Sequence, residues 1–77
     1  MKENFKLFDL LNGTQLLATR DYNDDENPCV TFSYFVDGAK VEMSFGFGTE
    51  ESRDKVFDPL DQDKAERIYN SISKSLF

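Results

Sequence analysis

The stretch CVTFSYFVDGAKVEMSFGF, residues 29–47, constrains this chain more than any other. Val30, Phe32, Tyr34 and Val36 alternate with Thr31, Ser33, Phe35 and Asp37. Beyond Gly38, Val41, Met43, Phe45 and Phe47 alternate with Lys40, Glu42, Ser44 and Gly46. A period of two belongs to a strand whose faces differ in polarity. Asp37-Gly38 between the two runs suits a type I′ hairpin turn, which needs positive φ at both central residues. A two-residue loop there pairs Val36 with Ala39, Phe35 with Lys40, Tyr34 with Val41, Phe32 with Met43 and Val30 with Phe45. The apolar pairs then share one face, and a slip of one residue would split them across the sheet.

Residues 5–20, FKLFDLLNGTQLLATR, read as a second hairpin around Asn12-Gly13, with Phe8 opposite Leu17 and Leu7 opposite Ala18. The rival is a short helix ending at Gly13, which would hold about two turns and need tertiary packing to persist. Residues 21–28 connect two strands, and Pro28 suits a strand start because it donates no ladder bond. After Gly48 the period changes. Thr49 is a natural N-cap for a short helical turn ending near Phe57, with Glu50 and Glu51 in its first turn. Asp58 and Pro59 read as N-cap and first residue of a final helix. Leu60, Ala65, Ile68, Tyr69, Ile72 and Leu76 trace its apolar face. The expected fold is α+β: a four-stranded antiparallel meander of two hairpins, a short helical turn, and a C-terminal amphipathic helix on one face.

Seventy-seven residues make a single domain, 1–77, with a thin margin of burial. No apolar run approaches the length of a membrane span, and Lys6 and Asp9 interrupt the only N-terminal candidate for a signal peptide. The lone cysteine, Cys29, has no intrachain partner, which favours a reducing, cytoplasmic setting. Net charge is −6, and the segment 21–27 carries four acids (Asp21, Asp24, Asp25 and Glu26) without a base. That balance argues against direct binding of nucleic acid or anionic membrane.

The acidic segment invites comparison with a calcium loop. Counted from Asp21, the glycine position of an EF-hand falls on Glu26, which does not easily take a positive φ, and the bidentate glutamate position falls on Phe32. No metal or other cofactor is expected. The chain has no histidine, so nucleophile–histidine constellations are excluded, and one sheet with one long helix offers little cleft for paired carboxylates. Gly46 and Gly48 faintly resemble a phosphate-binding turn, but Glu51 stands where the third glycine would be. Cys29 sits beside acids that disfavour a thiolate and reads as an inert strand residue.

Exposed apolar side chains remain. Phe35 lies on the polar face of the central hairpin opposite Lys40. If the first hairpin joins the same sheet, Phe8 and Leu17, or else Leu7 and Leu16, must also face away from the helix. Several such residues together mark an interface. The expected function is a non-catalytic protein-binding module, an inhibitor or adaptor of the kind carried by phages and mobile elements. Its candidate contacts are Phe35, Lys40, Phe8, Leu17, Asp21, Asp24, Asp25 and Glu26. A nucleic-acid mimic that blocks a basic protein, and a homodimer joined through the sheet face or edge, are the alternatives.

Overall fold

The computed structural model describes residues 4–76, with side chains through Lys74. Four strands, β1 (Phe5–Asp9), β2 (Gln15–Tyr22), β3 (Pro28–Val36) and β4 (Ala39–Gly46), form one antiparallel sheet in sequential order. Two helices follow, α1 (Glu50–Phe57) and α2 (Gln62–Leu76). The α+β meander is therefore the fold, and both helices pack on one face. Among the described residues, no helix is long and apolar enough to cross a membrane.

The central hairpin follows its turn chemistry. Asp37 and Gly38 hold φ of 50° and 83°, and the pairs run from Val36–Ala39 through Phe32–Met43 to Cys29–Gly46. Val30, Phe32 and Tyr34 are buried against the helix layer, while Phe35 points away from it. The edge of the Tyr34 ring meets Tyr69 of α2 at a centroid distance of 4.9 Å.

The first hairpin exists, but in a register one residue away from the expected one. Phe8 pairs with Leu16 and Leu7 with Leu17. The turn is a three-residue loop, not a two-residue type I′ turn. Gly13 N–H donates to Leu10 C=O at 3.0 Å, Leu10 N–H donates to Thr14 C=O at 2.8 Å, and Gly13 alone takes a positive φ there. The reason is packing. A two-residue turn would have set Leu7 and Asp9 on the covered face and expelled Phe8 and Lys6. The longer loop places Phe8 and Leu16 in the core and turns Lys6 towards the helices.

The β2–β3 turn repeats this geometry. Glu26 N–H donates to Asn23 C=O and Asn23 N–H to Asn27 C=O, both at 2.9 Å. Glu26 occupies the position that glycine holds in the first turn, with φ of 61°. The expectation that Glu26 resists a positive φ thus fails. Asn23 explains why, since its Oδ1 accepts from the N–H groups of Asp25 and Asn27, both at 3.0 Å, and organises the loop from within.

Thr49 caps α1 as expected, accepting from Ser52 N–H at 3.1 Å. The start of α2 is corrected. Asp61, not Asp58, caps it, with Oδ1 accepting from Lys64 N–H at 3.0 Å. Asp58 instead closes α1, its N–H bonded to Asp54 C=O at 2.8 Å. Both are Asp residues ahead of an apolar periodicity, and the docking of α1 decides between them. Ala65 and Ile72 are buried and Ile68 and Tyr69 pack against the core, whereas the Leu76 side chain lies outside those described.

Two substitutions test the turns. A Cβ at Gly38 would meet nothing within 4 Å, so the cost of Gly38→Val is backbone strain alone. It should destabilise the protein by more than about 1 kcal/mol in chemical denaturation. Glu26→Gly should act oppositely, raising stability by about 0.5–1 kcal/mol, because glycine relieves the left-handed strain at some entropic cost.

Candidate functional site: the open face of the sheet

Alternation along the strands decides which side chains the helices leave bare. One row across the open face reads Leu7, Leu17, Ser33, Glu42, and the next reads Phe5, Thr19, Thr31, Ser44. Phe35, beside Lys40, extends this surface past Ser33. Phe35 is 66% exposed, Phe5 61% and Leu7 54%, while Leu17 between them is half-buried. Hydroxyl groups fill the middle of the face, and Thr31 Oγ1 and Ser44 Oγ share a hydrogen bond at 2.7 Å.

Of the apolar candidates, the structure brings Phe35 and Leu17 to this face and removes Phe8, which packs against the core. Leu7 stands there instead, joined by Phe5. The two pairs weighed from sequence, Phe8 with Leu17 and Leu7 with Leu16, are each half right, because the longer turn exchanges the partners. Lys40 is exposed and pairs with Glu42 at 3.1 Å. The alternation in FKLFD was legible from the start; the loop length that assigns its faces was not.

The acidic residues form the rim. Asp21, Asp24, Asp25 and Glu26 are all exposed. The turn leans onto the sheet, with Asn23 Nδ2 3.8 Å from where a Cβ on Gly46 would sit. Cys29, paired with both Asp21 and Gly46, is buried at this end. Among the described residues, no three Asp, Glu or Cys side chains group in a way that could hold a metal ion.

Sequence reasoning missed a polar network on the covered side. Lys6 Nζ donates to the carbonyls of Phe57, Asp58 and Leu60 at 2.9, 2.9 and 3.2 Å, which uses all three of its protons at the end of α1. The Lys6 ammonium and the Arg20 guanidinium both approach the buried Phe57 ring, at 5.0 and 4.9 Å. Arg20 Nη1 meets the carboxylates of Asp54 at 3.3 Å and Asp58 at 3.1 Å. Arg53 is buried, with Nε on Asp54 at 3.1 Å and Nη1 on the Asp21 carbonyl at 3.0 Å. The Tyr22 hydroxyl bonds the Glu50 carboxylate.

Arg20, Asp21, Tyr22, Glu50, Arg53 and Asp54 line a polar cleft of about 370 Å³. Its arginines are answered by the protein's own carboxylates, so it offers little net charge to an anionic ligand. Burial pushes the Asp54 carboxyl upward, but hydrogen bonds and charge from Arg53 and Arg20 outweigh it and hold the group below the ordinary aspartate range. Asp54 is therefore ionised at neutral pH and is not placed to act as a general acid there. The network ties α1 to the sheet.

A depressed folded pKa stabilises above the unfolded value of about 3.9 and loses that contribution as pH falls through the folded value. Asp54→Asn should accordingly lower the melting temperature at pH 7. Its curve should approach wild type as pH drops below about 4. Parallel curves down to pH 2.5 would show that the Asp54 charge does not stabilise the fold.

Comparison with protein-family models, with curated proteins and with solved structures finds no match for this chain.

Proposed function

We propose that this protein is a non-catalytic protein-binding module whose contact surface is the open face of its sheet. The observation that carries this reading is the exposure of Phe5, Leu7 and Phe35 on one face. Burying such a side chain contributes about 1.5–3 kcal/mol, so covering all three would supply a useful share of a binding free energy. The acidic turn at the rim sets the partner's chemistry: an apolar patch bordered by basic residues.

A second copy of the chain fits less well. Four strands about 4.8 Å apart and about 27 Å long present about 500 Å². Two such faces bury about 1,000 Å², the lower limit for a specific interface. Each copy would also bring a charge of −6. A basic partner that also engages the acidic turn gains area and attraction together. Size and charge suit an inhibitor or adaptor, of the kind carried by phages and mobile elements, acting in a reducing, cytoplasmic setting.

Phe35→Ser should change folding stability by less than about 0.5 kcal/mol, as surface substitutions do. Phe35→Ser combined with Leu7→Ser should weaken binding of a captured, purified partner by at least about tenfold. Serine at Asp24, Asp25 and Glu26 should weaken it most at low salt. Full binding by the sheet-face variant would end this reading. A concentration-dependent dimer that Phe35→Ser dissociates in sedimentation would put the homodimer in its place.

A further inference from the structure

The helix layer does not reach across the whole sheet. α2 is tied to the β1 side: Gln62 Nε2 donates to Asp9 C=O at 2.7 Å, and Glu66 accepts from Leu11 N–H at 2.8 Å. Asn12 Nδ2 donates to the Tyr69 hydroxyl at 3.0 Å. Above β4 an open groove of about 720 Å³ remains, walled by Phe32, Met43, Phe45, Phe47, Val56 and Ile68. Phe45 is 44% exposed there although alternation assigns it to the covered face.

Arg67 is the charged residue that lines this groove, and Lys64, one turn earlier, lines a smaller hollow that shares Val56, Arg67 and Ile68 with it. Lys74 follows Arg67 at a spacing of seven residues, on the same side of the helix. Among the described residues, Lys64 Nζ donates only to the Pro59 carbonyl, at 3.4 Å. Among the described residues, Arg67 and Lys74 form no ion pair. In a chain with 15 acids and 9 bases, Lys64, Arg67 and Lys74 outnumber Asp63, the acid on the same outer side of α2, and give this flank a local charge opposite to that of the whole molecule.

The bare strip suits a helix. α2 packs over β1 and α1 over β2 and β3, so β4 is the strand that the chain's own helices cover least. Packed helices sit about 8–10 Å apart, which places a further helix beside them over β4. We propose that this groove receives an amphipathic helix of a partner protein, with apolar residues on Phe32, Met43, Phe45 and Phe47 and acidic residues flanking them towards Lys64, Arg67 and Lys74. This surface lies on the opposite face from the one assigned above and selects the opposite charge, so it stands or falls separately.

The test uses two fluorescent synthetic helices with leucine at positions i, i+3, i+4 and i+7, one flanked by glutamates and one by lysines. The glutamate peptide should bind the full chain at least about tenfold more tightly than the lysine peptide, with affinity falling as salt rises. Amide shifts on binding should map to β4 and α2. Arg67→Glu with Lys64→Glu, both surface changes, should reverse the preference. Phe35→Ser with Leu7→Ser should leave it unaltered. Equal affinity for both peptides, no binding of the glutamate peptide at millimolar concentration, or shifts confined to Phe5, Leu7 and Phe35 would overturn the proposal. A bound peptide that gains no helicity would overturn it in favour of strand addition along β4, and occupation by oleate but by neither peptide in favour of an acyl chain.

Discussion

The fold depends on what happens at the end of one eight-residue helix. α1 is too short to persist alone, and its last carbonyls have no partners within it. Lys6, from the first strand, supplies the missing donors, and Arg20 clamps the same end through Asp54 and Asp58. Phe57 sits beneath both cations, fully buried. The charges stay hydrated or paired while the ring takes up apolar space, so a helix with a weakly apolar face still docks firmly. Among the described residues, no buried side-chain polar atom is left without a partner.

That anchor holds α1 over β2 and β3. With α2 tied to the first turn on the β1 side, β4 keeps an apolar face that the described helices leave largely open. Among the described residues, no element packs on the other side of the sheet. A domain of 77 residues buries only about 60% of its unfolded surface, and here most of the exposed large apolar side chains fall in two places, Phe5, Leu7 and Phe35 on the open face and Phe45 and Val56 at the groove. The two surfaces differ in their surroundings. Acidic side chains border the open face, and basic ones border the groove.

The two three-residue turns show how finely this arrangement is balanced. One residue of loop length decides whether Phe8 or Leu7 enters the core, because strand faces alternate with a period of two. Asn12-Gly13 is compatible with either loop. The contest is settled by β2, whose Leu16 and Ala18 must face the same side as Phe32 and Tyr34, and by Lys6, which caps α1 only from that side. At the β2–β3 turn, Asn23 lets a glutamate adopt a backbone conformation usually left to glycine.

The amino-acid sequence alone determined the parts governed by neighbours along the chain. The β3–β4 register follows from Asp37-Gly38 and strict alternation, the Thr49 cap from its own helix, and the buried face of α2 from a period of 3.6. Phe35 could be placed on the bare face for the same reason. Tertiary structure decided the rest. The partners of Lys6 lie more than fifty residues away, and Arg20 reaches α1 across thirty-four. No local pattern announces such contacts, because each residue involved reads as an ordinary exposed charge. The exchange of Phe8 for Leu7, the shift of the α2 cap from Asp58 to Asp61, and the groove over β4 all follow from them. Their physical reason is shared: burying one apolar face and satisfying one helix end are demands on the whole molecule, and they override a turn that is locally indifferent.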